Sequence, residues 1–175
     1  MDELPYAVLP EPPARVRGAT VMARVVDGLA FRYRWATEGL RPADADFRPG
    51  AGSMSLLELV AHIARLVSWL DGHLGGQSSP SFAEDLQGLS RQTLDHLGQL
   101  RARLQTMDDA ALGEHRISGG SGDSLPFWNM LNGPLADALT HVGQINAWRR
   151  LAGNPTPRAD VFRGRPPAPS ATAHP

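Results

Sequence analysis

The chain has no cysteine and no lysine, and all 17 of its basic residues are arginine. Without cysteine there is no disulfide framework, no zinc finger and no thiol nucleophile, so a metal here must be held by histidine, carboxylate or backbone oxygen. Without lysine there is no Schiff-base chemistry and no P-loop phosphate site. The arginine bias is what a GC-rich coding sequence produces and says nothing further about function. Also missing is any run near the roughly 20 apolar residues of a membrane span. The stretch "MDELPYAVLPEPPARVRGAT" places acids and prolines where a signal peptide needs unbroken apolar residues. With a formal net charge of −1 there is no global attraction to nucleic acid or to an anionic membrane. A cytoplasmic protein with neither partner is expected.

What is present suits one globular domain: 175 residues, 42% apolar and 20% charged, enough to bury a core without staples. Residues 1 to 17 are proline-rich and read as an extended arm. From Thr20, the residues Val21, Val25, Val26, Leu29, Ala30, Tyr33 and Ala36 recur at helical steps, and Gly39 and Pro42 close that helix. A loop, "RPADADFRPGAGSM", leads to "SLLELVAHIARLVSWLDGHL", a second helix in which Ser55 and Glu58 stand at capping-box spacing. A third helix is marked by Phe82, Leu86, Leu89, Thr93, Leu97, Leu100, Leu104 and Met107. The glycine-rich "GEHRISGGSGDSLP" reads as a flexible loop bordering a site.

The fourth helical region starts near Leu125 and is interrupted at "NGP", where Asn132 as cap and Pro134 in the first turn suit a fresh start. It ends at Gly153. From Arg158 the chain is Pro, Ala and Arg and is expected to be a disordered tail over residues 158 to 175. Nothing alternates like a strand. The expected fold is all-α, an antiparallel four-helix bundle over residues 18 to 157 with a kinked or broken fourth helix.

Six histidines are present, and two of them, His62 and His141, sit inside strongly apolar helical runs. Asp137 lies one turn before His141, which puts the two side chains about 5 to 6 Å apart at Cβ on one face. That separation lets both reach one ion at roughly 2.0 to 2.2 Å, and His62 from a neighbouring helix completes a two-histidine, one-carboxylate set with open positions. Such a set suits Zn, Ni or Fe(II). The same spacing also suits a local hydrogen-bonded pair or a solvated ion pair with Arg149 and Arg150 nearby, and spacing alone does not separate the two readings.

Other residues have structural explanations. Gly143 is expected to permit close helix packing, Gln144 to satisfy a buried backbone or helix-end group, and the four tryptophans to serve as core or pocket wall. Glu58 is a candidate acceptor for His62 as well as a capping residue. Asn129 and Asn132 are candidates to face the cavity. His73, His96, His115 and His174 read as surface residues, with His115 nearest to a site.

Two segments together carry a family resemblance. "SLLELVAHIARLVSWL" followed by "LTHVGQINAWRRLAGNP" resembles the DinB/YfiT-like four-helix-bundle superfamily of metal-dependent proteins, over residues 18 to 155. The resemblance implies a divalent metal held by one histidine of the second helix and two residues of the fourth. His62 and His141 match directly; the position four before His141 is often histidine in that family and is Asp137 here. It further implies an enzyme, a thiol S-transferase, isomerase or hydrolase, in which the metal activates a low-molecular-weight thiol or water toward a small electrophile, and a homodimer. The other readings are a non-catalytic metal-binding or stress-response module and a metal-free dimerising scaffold.

Overall fold

The computed structural model describes residues 4–118 and 121–168. It is mostly helical. The long helices are α1 (Gly18–Thr37), α2 (Leu56–His73), α3 (Leu86–Thr106) and, after shorter elements, α6 (Ala136–Leu151). Between α3 and α6 lie α4 (Asp109–Glu114), strands β1 (Arg116–Ser118) and β2 (Ser124–Pro126), and the single turn α5 (Trp128–Met130). α1 and α2 each pack against both α3 and α6, so the four long helices close one core of leucine, valine, isoleucine and alanine around the fully buried Tyr33. None of the helices in the described residues is long and apolar enough to cross a membrane.

Helix starts follow local chemistry. Asp85 caps α3 by accepting from the N–H groups of Gln87 and Gly88 at 2.9 and 2.8 Å. Gly39, at φ +70°, turns the chain out of α1 in the left-handed region. Of the apolar stripe expected on α1, Val26, Leu29, Ala30, Tyr33 and Ala36 are buried, while Val21 and Val25 face outward. Phe82 and Met107 flank α3 rather than lie within it.

Several expectations are corrected. The glycine-rich segment contains a small antiparallel hairpin, with Ile117 opposite Leu125, and the fourth helical region begins at Trp128 instead of Leu125. Three-residue strands are too short to show alternation, and what holds the hairpin is the burial of Ile117 in the core. The break at "NGP" is a π turn (Leu131–Leu135) with Gly133 off helical geometry at φ −93°, ψ −112°. Asn132 makes no cap there; Leu135 enters α6 already in helical conformation.

His96, expected on the surface, is buried. Its ring bridges the Asp71 carboxylate, 3.1 Å from Nδ1, and the Ser79 hydroxyl, 2.8 Å from Nε2, while Arg103 pairs with the other Asp71 oxygen. The polar side of α3 thereby fastens the loop after α2, a long-range pairing that local spacing does not encode.

Part of the segment expected as a disordered tail is folded. Asp160 and Arg165 exchange backbone hydrogen bonds at 3.0 and 3.1 Å, and Leu9 N–H donates to Gly164 O at 2.9 Å. Residues 169 to 175 of that expectation, with His174, lie outside the described residues. Residues of the N-terminal arm are tied to α1 through Arg24 to Pro10 O and Trp35 Nε1–H to Ala7 O, at 2.6 and 3.2 Å.

A polar knot joins the end of α6 to the end of α1. The buried Arg149 guanidinium donates to Ala36 O, Glu38 O and Asn154 O, and Asn154 Nδ2–H donates to Gly39 O and to Asp44. Asp44 is buried, and the Arg41 guanidinium beside it holds its carboxyl down at about 2, against an ordinary 3.8. Because the folded value lies below the unfolded one, Asp44 contributes stability that is complete above pH 3.8 and is lost as pH falls through 2. Urea unfolding of Asp44→Asn is therefore expected to show a loss of about 2 kcal/mol at pH 7 that shrinks toward zero near pH 2. A loss independent of pH would mean that the carboxylate charge does not matter.

Candidate metal centre

The first candidate ligand is positioned by the start of α2. Glu58 N–H donates to Ser55 Oγ at 3.1 Å, and Ser55 N–H donates to the Glu58 carboxylate at 2.6 Å. Both halves of the capping box are closed, which sets the phase of the helix in its first turn. That phase buries Leu59, Val60 and Ile63 and leaves His62 half-buried beside α6. Glu58 is occupied by the cap and by Arg48 at 2.9 Å, so the structure assigns it the capping role and not that of an acceptor for His62.

The other two candidates come from the first two turns of α6. Asp137 stands directly after the π turn, and His141 one turn further. His62 Nε2 lies 3.4 Å from Asp137 Oδ2, and His141 Nε2 lies 3.3 Å from Asp137 Oδ1. The two imidazoles meet edge to face, with centroids 4.8 Å apart. Each of the three residues offers one ligand atom, and these atoms all fall within 4.8 Å of one another.

These separations carry chemical information. Atoms that share an ion at 2.0 to 2.2 Å stand roughly 3.0 to 3.5 Å apart. A carboxylate hydrogen-bonded to a charged imidazole draws in to about 2.7 to 2.9 Å. The two separations from Asp137 lie in the range that a shared cation sets, and they also lie within ion-pair distance of a protonated imidazole.

Gln144 contributes what the sequence reading missed. Its Oε1 accepts from His141 Nδ1–H at 2.8 Å, which orients the ring with Nε2 toward Asp137. The signal was available as an amide one turn after the histidine, but the same position equally suits a helix-end partner. Replacing Gln144 with leucine is expected to weaken zinc binding about 10- to 100-fold while leaving the fold intact. Competition against a chromophoric chelator measures this; an unchanged affinity would show that His141 needs no such orientation.

The three residues stand beside an open cavity of about 760 Å³. His62 and Asp137 line it. Leu66 and Trp69 from α2 and Pro134 from the π turn form its apolar wall, and Arg65, Asn132 and Thr140 its polar edge. His141 sits behind, its side chain only 12% exposed, against 47% for Asp137. Of the two asparagines named from the sequence, Asn132 reaches the cavity and Asn129 is not among its lining residues.

The remaining histidines lie apart. His73 Nδ1–H donates to Trp69 O at 2.9 Å and its ring lies against that indole, while His115 closes the C-terminus of α4. Gly143 is not a packing glycine: a side chain there would meet open space. No family model, no curated protein and no solved structure matches this chain.

Proposed function

We propose that the chain is a divalent-metal-dependent enzyme of the DinB-like type, an antiparallel four-helix bundle that activates a low-molecular-weight thiol or water toward a small electrophile. The observation that carries this reading is the convergence of His62, Asp137 and His141 at the edge of a cavity large enough for a small molecule. Two imidazoles and one carboxylate leave coordination positions open, as catalytic sites do and closed structural sites do not. When bound, a divalent cation lowers the pKa of a coordinated thiol or water so that a nucleophile exists near neutral pH.

The chain's own residues supply the rest. Gln144 orients His141, and Asp137 presents one oxygen toward each histidine. Trp69, Leu66 and Pro134 give the substrate's apolar part a dry surface, and the Arg65 guanidinium at the rim suits an anionic group on substrate or thiol.

The test is a thiol-consumption screen against small electrophiles, run with zinc-loaded, nickel-loaded and chelator-treated protein. Turnover that disappears on chelation and returns with metal is expected. Turnover indifferent to the chelator would overturn the metal-dependent reading. Metal binding without turnover for any thiol or water reaction would favour a binding module instead.

A further inference from the structure

A second cavity, of about 420 Å³, opens on the other side of α6. On α6 the candidate ligands Asp137 and His141 share one face, while Leu139, Val142, Gly143, Asn146 and Arg150 lie on the opposite one at about 100° per residue. α1 provides the facing wall with Arg32 and Trp35, and the folded segment after α6 closes the end with Arg158. This groove is independent of the metal centre and uses none of its residues.

Its charge is one-sided. Three arginines, Arg32, Arg150 and Arg158, line it, and among the described residues lining it there is no carboxylate. None of the three guanidiniums makes an ion pair or hydrogen bond within the described residues, whereas Asp160, the acid nearest to Arg158 along the chain, is taken by Arg163 at 3.1 Å. The chain as a whole has a net charge of −1, so three arginines around one concavity are a local positive excess that attracts anions.

The floor of the groove is apolar, formed by Phe31, Leu139 and Val142, with the Trp35 indole at its edge. That indole is fixed by its hydrogen bond to Ala7 O. The side-chain space over Gly143 is open, which leaves the middle of the groove clear.

We propose that this groove binds a small organic phosphate, the phosphate held by Arg32, Arg150 and Arg158 and an apolar or aromatic body lying against the floor and Trp35. Guanidinium forks match phosphate oxygens in pairs, and three cations around one groove favour a dianion over a single carboxylate.

The experiment is calorimetric titration of the full chain at low ionic strength with adenosine monophosphate, adenosine and inorganic phosphate. Saturable binding of about one equivalent of adenosine monophosphate is expected, with a dissociation constant below about 1 mM, weaker binding of inorganic phosphate, and none of adenosine. Arg150→Gln should weaken the nucleotide about tenfold. Gly143→Glu, which places a carboxylate among the arginines, should abolish binding, while Gly143→Gln should weaken it less. Arg150 and Gly143 are exposed, and an unchanged far-ultraviolet circular dichroism spectrum and thermal midpoint check that the variants are folded. The proposal is overturned if none of the three probes binds, if adenosine or phosphate alone binds as tightly as the nucleotide, or if Arg150→Gln leaves affinity unchanged.

Discussion

Protein carrying His141→Ala is expected to bind zinc at least about 100-fold more weakly than the parent, with a thermal midpoint little changed in the absence of metal. His141 is the most enclosed of the three candidate ligands, and Gln144 orients it through a hydrogen bond to Nδ1. Its removal leaves His62 and Asp137, two donors on separate helices, one of them a carboxylate with 47% of its side chain in solvent. His62→Ala should show a similar loss. Asp137→Asn should fall between these and the parent, because the amide oxygen still donates but the charge is gone. Elemental analysis after gel filtration and competition with a chelator check all three. If the His141→Ala and His62→Ala proteins retained the parent affinity, the metal would have to be bound elsewhere and the site would be lost.

The second large effect is on stability. Replacing Arg149 with methionine is expected to cost about 3 kcal/mol and to lower the melting temperature by roughly 10 °C. Arg149 is 1% exposed, and its guanidinium donates to the carbonyls of Ala36, Glu38 and Asn154. Methionine fills similar volume but leaves those carbonyls without their donors at the place where the end of α1 meets the end of α6. Arg149→Lys should recover only part of the loss, since one ammonium cannot reach three acceptors that a planar fork reaches together. Urea unfolding of the metal-free protein measures both. A cost below about 1 kcal/mol would mean that water replaces the arginine and that the knot is not what joins the two helices.

This knot also reassigns a motif. In the sequence, "RRLAGNP" stands next to the Asp137 and His141 pair and invites an ion pair with it. In the structure Arg149 and Asn154 turn away from the cavity and cap α1, and Arg150 lines the groove on the far face of α6. Neighbours in sequence serve three unrelated places because α6 rotates about 100° per residue.

Much of the local structure was legible in the residues themselves. The helical steps of α1 to α3, the Ser55 and Glu58 cap, the stop at Gly39 and the interruption around Gly133 and Pro134 all depend on backbone geometry and on contacts within one or two turns. The one-turn spacing of Asp137 and His141 is of the same kind. Such features follow from the chain's covalent order, and no distant residue is needed to produce them.

What only the tertiary structure decided involves pairs far apart in sequence. His62 stands 3.4 Å from Asp137 across 75 residues, His96 is buried by Asp71 and Ser79, and Ile117 draws a three-residue strand into the core. A polar residue on a helix has the same local signature whether it faces water, a partner helix or a folded-back segment. The packing of α1 against α6 and the returning chain sets Arg32, Arg150 and Arg158 around one groove, although they lie far apart in the sequence. Periodicity records which side of a helix is apolar; only packing the helices together determines which polar groups meet, because that depends on distances between segments that the order of residues does not specify.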